Sequence, residues 1–256
     1  MPGMFRLRIM LLRKAAAASL AAAALLTLLG ALPVAAASYE SGLAAFDKGD
    51  FATAAKEWRE LANAGDARAQ HGIGLLYEIG AGVEKRDYAE AAKWYQKAAD
   101  QGLPAAETNL ALMYAEGRGV PKSLEQAARL WRFAADAGHP MAQFNLALMY
   151  YRGEGGLQKS DNDAAWWFAQ AAAQGSADAQ YALAELYRSG RGVPKNWDEA
   201  KRWYEQAIEG GHAAAKQRLA SLEDEIAKRQ GVPAATASTA PEATTAAPAQ
   251  PTPPSD

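Results

Sequence analysis

The sequence predicts an all-α fold, a right-handed α-solenoid of about five helix-turn-helix repeats followed by a C-terminal capping helix. The first observation is a periodic tyrosine at Tyr77, Tyr114, Tyr150 and Tyr187, with steps of 37, 36 and 37 residues. A glycine follows each of these tyrosines three residues later. A period in this range is typical of solenoids, in which supersecondary units stack on one another.

Each unit is predicted to contain two helices. In the first unit, Ala69, Ile73 and Leu76 fall on one helical face, and the run Gly80-Ala81-Gly82-Val83 then ends the helix. The second helix carries a face of aromatic and small residues and ends at a glycine. Two series mark this helix and its end: the aromatic residues Trp58, Tyr95, Trp131, Phe168 and Tyr204, and the glycines Gly65, Gly102, Gly138, Gly175 and Gly211.

The full pattern resembles the Sel1-like repeat family, a close relative of the tetratricopeptide repeats. It is clearest between Ala179 and Gly211, where a tyrosine is followed by Gly-Arg-Gly-Val and then by Trp-Tyr. The resemblance implies four Sel1-like repeats over residues 69–212. Two departures stand out. Leu130 replaces the tryptophan of the second unit, and Asp161 replaces the aromatic residue present as Tyr88 and Trp197 in the first and fourth units.

Shorter segments flank the four units. Residues 38–68 resemble a tetratricopeptide-like helix pair with a tight turn at Gly49-Asp50-Phe51. Residues 213–230 are predicted to form the capping helix, with Leu219 and Leu222 inward, because a solenoid needs a polar end to stay soluble. Residues 231–256 are rich in Pro, Ala and Thr, carry almost no charge and are predicted to be disordered.

The N-terminus predicts export. Arg6, Arg8, Arg13 and Lys14 precede an apolar run over 15–32, and Ala35-Ala36-Ala37 follows in the pattern of a cleavage site. Residues 1–37 are therefore interpreted as a signal peptide, which places the mature chain in the periplasm or outside the cell, with no membrane insertion after cleavage. The alternative is an uncleaved anchor, since the apolar run is long enough to span a bilayer.

Charge and cysteine content exclude several classes of function. Removing residues 1–37 leaves 23 basic and 29 acidic residues, a net charge of −6. Such a chain is not expected to bind nucleic acid, because phosphate neutralisation requires clustered Lys and Arg. The chain has no Cys, so disulfides, thiolate metal sites and a thiol nucleophile are excluded.

The sequence indicates no catalytic chemistry. His71, His139 and His212 are the three histidines, and no two of them have metal-ligand spacing. The Gly-x-Gly loops recur once per unit and lack the strand that a dinucleotide site requires. Most carboxylates fall on predicted helix exteriors or in loops, where solvation explains them. We therefore expect a protein that is not an enzyme, with no catalytic residues, cofactor or metal.

Basic residues in two loops leave a choice open. The run Gly-Arg-Gly-Val-Pro-Lys occurs at 117–122 and at 190–195. Its charged residues, Arg118, Lys122, Arg191 and Lys195, are interpreted either as solvated loop charges or as a docking site on an otherwise acidic protein.

The face of the first helices opposite the core is the candidate binding surface. First helices usually line the concave side of a solenoid, and an apolar stripe there is a candidate groove for a protein or peptide. The alternative is that curvature closes the groove, so that these residues pack between units. The predicted protein-binding residues are Leu75, Leu112, Phe144, Leu148, Tyr151 and Tyr181.

Trp166 is the second candidate surface. The equivalent position is Lys93 in the first unit, Arg129 in the second and Arg202 in the fourth, so a tryptophan is unexpected there. It is predicted either to be an exposed contact residue on the convex side or to fold over neighbouring apolar surface.

These observations predict a non-catalytic protein–protein interaction module. The resemblance implies an envelope adaptor or regulator, and a periplasmic repressor of a membrane sensor kinase is a narrower alternative. An enzyme acting on cell-wall material or β-lactams is a third alternative, because some Sel1-like proteins have been proposed to bind penicillin. Those proteins are cysteine-rich, and the absence of Cys here argues against that alternative.

Overall fold

The computed structural model describes residues 38–230, which form eleven α-helices and contain no strand. The predicted all-α fold of paired helices is confirmed. The signal peptide and the disordered tail were predicted for segments that lie outside the described residues. The helices are α1 (Tyr39–Asp47), α2 (Phe51–Asn63), α3 (Ala67–Ile79), α4 (Tyr88–Ala99), α5 (Pro104–Glu116), α6 (Leu124–Asp136), α7 (Pro140–Arg152), α8 (Asp161–Ala173), α9 (Ala177–Ser189), α10 (Trp197–Glu209) and α11 (Ala215–Gln230).

The chain divides into two compact units between Arg86 and Asp87. The first unit holds α1, α2 and α3, and its centre is Trp58 on α2, which is 1% exposed. The indole packs directly against Gly42 on α1 and Gly72 on α3, where a Cβ atom would overlap the ring. Its Nε1 donates to the carbonyl oxygen of Tyr39 at 3.1 Å. Glycine on both neighbours is what lets the large ring fill the space between the helices.

The second unit holds α4 to α11, and within this unit each helix packs mainly against its neighbours in the chain. Alanines line the closest approaches between helices, while larger side chains fill the space between them. Among the side chains less than 2% exposed are Leu110, Leu146, Phe168, Leu183 and Tyr204.

Local signals explain where the helices begin and end. Ser160 caps α8 by accepting from the Asp163 amide at 3.2 Å, and α5 and α7 begin with a proline. Each first helix of a repeat ends at a glycine in the left-handed region, with φ between 70° and 75°. Residues with a Cβ resist that conformation, which accounts for the periodic glycine after the tyrosine.

A second glycine in each loop joins one repeat to the one before. In the second unit, a Cβ at Gly119 would overlap the backbone of Tyr88, and a Cβ at Gly192 would overlap the carbonyl oxygen of Asp161. Tyr88 and Asp161 are the first residues of α4 and α8. The Gly-x-Gly motif therefore does more than break a helix, because it also allows backbone contact between repeats.

A buried amide recurs near the start of three of the four first helices. Gln70, Gln143 and Gln180 each donate from Nε2 to the carbonyl oxygen eight residues earlier, at 3.2–3.3 Å. The second repeat has Glu107 at this position, and its side chain is also buried. Burial raises the pKa of the Glu107 carboxyl, because a charged group loses hydration there.

Candidate protein-binding face

Five of the six predicted groove residues lie in the second unit, and all five are half-buried. Leu112 is on α5, Tyr181 is on α9, and the other three are on α7. Each also packs against the core of that unit, so part of each side chain stabilises the fold and part faces solvent. We call Leu112, Phe144, Leu148, Tyr151 and Tyr181 the first-helix face.

Leu75, the sixth predicted residue, is in the first unit and is buried, with 5% of its surface exposed. His71 and Glu78, one turn before and one turn after it on α3, are buried too. In this repeat the side chains pack within the protein and do not line an open groove. Leu75 therefore offers little surface to a partner.

Two aromatic residues of the first-helix face rest on the following second helix. The Phe144 ring lies 5.6 Å from that of Phe168 on α8, and the Tyr181 ring lies 5.9 Å from that of Tyr204 on α10. Because Phe168 and Tyr204 are fully buried, they hold the outer rings in fixed positions. Such anchored aromatic residues lose little conformational entropy when a partner covers them.

Tyr151 is held by a residue of the next repeat. The Arg191 guanidinium lies over its ring at 4.4 Å and donates to its hydroxyl at 2.6 Å. Arg191 also donates twice to Asp161, at 2.8 and 3.0 Å. This arginine is thus not a free docking charge, because it joins Tyr151 to Asp161, although its side chain is 37% exposed.

The capping helix α11 meets the face at Tyr181. Arg218 on α11 donates to the Tyr181 hydroxyl at 3.2 Å and pairs with Glu185 at 3.3 Å. His212 stacks on the same tyrosine ring at 4.1 Å. Glu185 accepts a hydrogen bond from the Tyr204 hydroxyl at 2.5 Å, and burial together with this carboxylate raises the pKa of Tyr204. Tyr181 therefore marks the end of the first-helix face, where polar and charged side chains contact its ring and hydroxyl.

Leu112 and Leu148 occupy equivalent positions on adjacent first helices, α5 and α7, and keep a half-exposed apolar surface. Tyr151 and Tyr181 add polar clusters toward the C-terminal end of the same face. The result is an apolar centre with fixed aromatic rings and charged residues at one end, an arrangement typical of protein-binding surfaces.

Two other basic residues of the loops also contact neighbouring side chains. Arg118 lies over the Tyr88 ring at 5.4 Å and pairs with Glu116 at 2.5 Å, while Lys195 lies over Trp197 at 4.9 Å. Lys122 and Lys195 are exposed, which agrees with their interpretation as solvated charges, whereas the contacts with aromatic rings were not predicted.

Trp166, the second candidate surface, is half-buried on α8. Its ring packs edge-on against Trp167 at 4.4 Å and contacts the core of the second unit. The indole lies over apolar neighbours, as the second alternative predicted, and it keeps part of its surface exposed, so a role as a contact residue stays a prediction. Among the described residues, Phe133 on α6 is the large apolar side chain that is mostly exposed, at 58%.

Metal-binding clusters and membrane-spanning helices are absent from residues 38–230. No cluster of three or more His, Asp or Glu residues in this part of the chain could hold a metal ion. Over the same residues, no helix has both the length and the apolar character needed to cross a bilayer.

Comparison with protein families identifies the repeats. The Sel1 repeat model matches four consecutive segments, residues 67–103, 104–139, 140–176 and 177–212, which together cover more than half of the chain. The chain belongs to the Sel1 repeat family. Repeats of this family commonly serve as protein–protein interaction modules. The match also includes the second and third repeats, although Leu130 and Asp161 depart from the repeat pattern there.

Solved structures support the same family. A protective antigen present in uropathogenic Escherichia coli strains, which displays an SLR fold, is 30% identical with a TM-score of 0.67, and the match covers 73% of this chain and 40% of that one. A Sel1 repeat protein from Oxalobacter formigenes is 33% identical with a TM-score of 0.61, over 67% and 68% of the two chains. The chain thus spans less than half of the Escherichia coli protein. A comparison with curated proteins found no match.

Proposed function

We propose that this protein is a non-catalytic adaptor or regulator of the cell envelope that binds a protein or peptide on its first-helix face. The observation that supports the proposal is the pair Leu112 and Leu148, which hold half-exposed apolar surface at equivalent positions on α5 and α7. Helix α7 also carries the fixed ring of Phe144. Covering apolar surface beside fixed aromatic rings makes the free energy of binding more favourable, because the partner removes that surface from water.

The envelope location rests on the sequence of residues 1–37, with its basic start, apolar run and Ala-Ala-Ala end. In that location the acidic chain would meet other exported or membrane-bound proteins. The absence of Cys fits either a reducing or an oxidising compartment, because the fold relies on apolar burial alone.

The test is site-specific photocrosslinking. A photoreactive phenylalanine replaces Leu148 in one variant and Phe133 in another, and each protein is irradiated in an envelope fraction from its own organism. We expect a defined adduct from position 148 that mass spectrometry identifies. Phe133 is the matched control, because it is an exposed apolar residue on a second helix.

The double change Leu112→Gln and Leu148→Gln should then remove the interaction with the identified partner. Both side chains are half-exposed, so helicity and the melting temperature should change little. An unchanged affinity in this folded variant would contradict the proposal, as would an adduct formed equally well from position 133.

A further inference from the structure

The tryptophan position of the second helices has one exception. Trp94, Trp167 and Trp203 occupy it in the first, third and fourth repeats, and Leu130 occupies it in the second. Trp167 is buried, and the guanidinium of Arg132 on α6 lies 6.0 Å from its ring. The same guanidinium lies 5.3 Å from the ring of Tyr150 on α7. An indole, a long side chain and a tyrosine therefore fill one region where the third repeat meets the second.

One repeat earlier, the equivalent residues are Leu130, Gln96 and Tyr114, two of which are smaller than their counterparts. A cleft of about 490 Å³ lies at this place between α4 and α5, and Gln96 and Tyr114 both line it. Tyr114 is half-buried there, whereas Tyr150 is buried. Leu130 itself does not line the cleft, but by equivalence with Trp167 and Arg132 a tryptophan at position 130 and a longer residue at position 96 are expected to extend into it.

The walls of the cleft are apolar and its rim is mainly cationic. Trp94 and Leu110 form part of the walls. The Lys97 ammonium lies over the Trp94 ring at 4.0 Å, and the Lys93 ammonium pairs with Glu90 at 2.5 Å. The lining residues carry two ammonium groups and one carboxylate, a net charge of +1, and the neighbouring Asp100 carboxylate accepts a hydrogen bond from Gln96 at 2.6 Å.

We propose that this cleft binds an aromatic side chain of a partner protein that is flanked by acidic residues in a short peptide segment. The cleft volume is within the range of sites that hold a compact organic group. The aromatic ring would take the place that the missing tryptophan leaves beside Tyr114, and the neighbouring carboxylates would pair with Lys93 and Lys97. Pairing with carboxylates selects an acidic segment over a basic one.

This surface is separate from the first-helix face, because α4 and its lysines contribute none of the residues of that face. The proposal therefore goes beyond the proposed function, and each can fail without the other. In the Leu112→Gln, Leu148→Gln variant, the cleft should keep its affinity for an acidic aromatic peptide.

The experiment measures fluorescence anisotropy of a labelled peptide, Gly-Ser-Asp-Trp-Glu-Ser-Gly, mixed with the purified protein. We expect saturable binding that weakens at least about tenfold when Trp is replaced by Ala or when both acidic residues are replaced by Lys. Binding that is absent, or equal for the three peptides, would overturn the proposal.

Leu130→Trp is the decisive variant, because it fills the cleft with the protein's own indole. Enlarging a core residue usually destabilises a protein by overpacking, but here the space exists. We expect an unchanged or higher melting temperature together with at least about a tenfold loss of peptide affinity. A melting temperature lowered by more than about 5 °C, or unchanged peptide binding, would overturn the proposal.

A charge reversal tests the rim independently. Lys97→Glu should weaken binding of the acidic peptide by about tenfold or more, because it replaces attraction with repulsion beside the cleft. Lys228→Glu is the matched control, since Lys228 is an exposed lysine on α11. Equal affinities for the two variants would show that the rim does not select charge and would overturn the proposal.

Discussion

Arg191 and Asp161 form a bidentate ion pair between adjacent repeats, with Nη2 and Nε donating to the two carboxylate oxygens at 2.8 and 3.0 Å. Arg191 is in the loop after α9, and Asp161 is the first residue of α8. In the second repeat the equivalent arginine, Arg118, lies over the aromatic ring of Tyr88. Asp161 is therefore not an irregular residue of the repeat, because its partner in the next repeat complements it.

Asp161→Ala should lower the free energy of unfolding by about 0.5–1 kcal/mol, because both partners are partly exposed and surface ion pairs contribute little. Asp161→Tyr should recover part of this loss, since the arginine can then lie over a ring as Arg118 does over Tyr88. Urea unfolding at low and high salt measures both effects. Equal losses for the two variants would show that Arg191 cannot use a ring in place of the carboxylate.

Gly192→Ala should lower the free energy of unfolding by about 3 kcal/mol or more. The added Cβ combines the strain of a positive φ, +69°, with overlap on the carbonyl oxygen of Asp161. Gly156→Ala is the matched control, because its φ is +77° but the nearest atom to an added Cβ is 3.8 Å away. It should cost about 1 kcal/mol, from backbone strain alone. Similar losses in urea unfolding would mean that backbone contact between repeats does not require glycine.

Glu107→Gln should raise stability at pH 7 by about 1 kcal/mol, the net value of one hydrogen bond. Glutamine at this position can donate to the Ala99 carbonyl, as the amides of the other three repeats do to theirs, whereas a carboxylate cannot. Because the pKa of Glu107 is raised, its protonated form stabilises the fold, and this contribution is lost as pH rises above about 4.5. The difference in the free energy of unfolding between Glu107→Gln and wild type, measured by urea unfolding, should thus shrink toward pH 4. A constant difference across this range would contradict the explanation.

His139→Ser should reduce the loss of stability in acid. The Thr108 hydroxyl donates to the Pro104 carbonyl, so it accepts from Nδ1 of a neutral His139 at 3.1 Å. Burial lowers the pKa of His139 from 6.5 to about 4, so its contribution is present above pH 6.5 and is lost as pH falls toward 4. This loss amounts to roughly 2–3 kcal/mol.

Serine is a suitable replacement for His139 because Ser176 occupies the same position one repeat later, where it caps α9. The control is His212→Ser, at the equivalent position of the fourth repeat. Thermal unfolding from pH 7 to pH 4 should show a smaller decline for His139→Ser than for wild type. If the melting temperatures of His139→Ser and wild type declined in parallel, another group would cause the acid sensitivity.

Export has a direct test in the intact mass of the protein recovered from the envelope. We expect a chain that begins after Ala37, because the small residues Ala35-Ala36-Ala37 follow the apolar run. Recovery of a chain that retains Met1 and sediments with membranes would instead identify the uncleaved anchor.

The helices were predictable from the sequence because their signals are local. Apolar residues at helical spacing, the glycines that end each first helix and the proline at the start of α5 and α7 act within a few residues of one another. The family could be recognised for the same reason, since these signals recur at a constant period. The burial of Trp58 followed from that period and was found in the structure. On the capping helix, Leu219 and Leu222 were predicted to point inward, and Leu222 is buried while Leu219 is half-buried.

The candidate face was predicted less completely, because exposure depends on residues far away in the sequence. Leu75, Leu112 and Leu148 occupy one repeat position, yet Leu75 is buried and the other two are half-exposed. Tyr181 fits the apolar pattern, but the Arg218 side chain and the His212 ring engage it. A repeat pattern assigns a residue to a side of its helix and contains no information on which distant side chain covers it.

The sequence by itself therefore determined the period, the number of helix pairs, the residues that end each helix and the residues that face inward, because short-range propensity and helical periodicity fix all of these. The tertiary structure alone decided what the departures from the repeat do. Asp161 meets Arg191 thirty residues later, and a cleft lies beside Tyr114 in the repeat where Leu130 replaces the tryptophan. Both outcomes depend on packing between repeats. There the effect of a side chain's volume and charge depends on a neighbouring side chain that the local sequence does not specify.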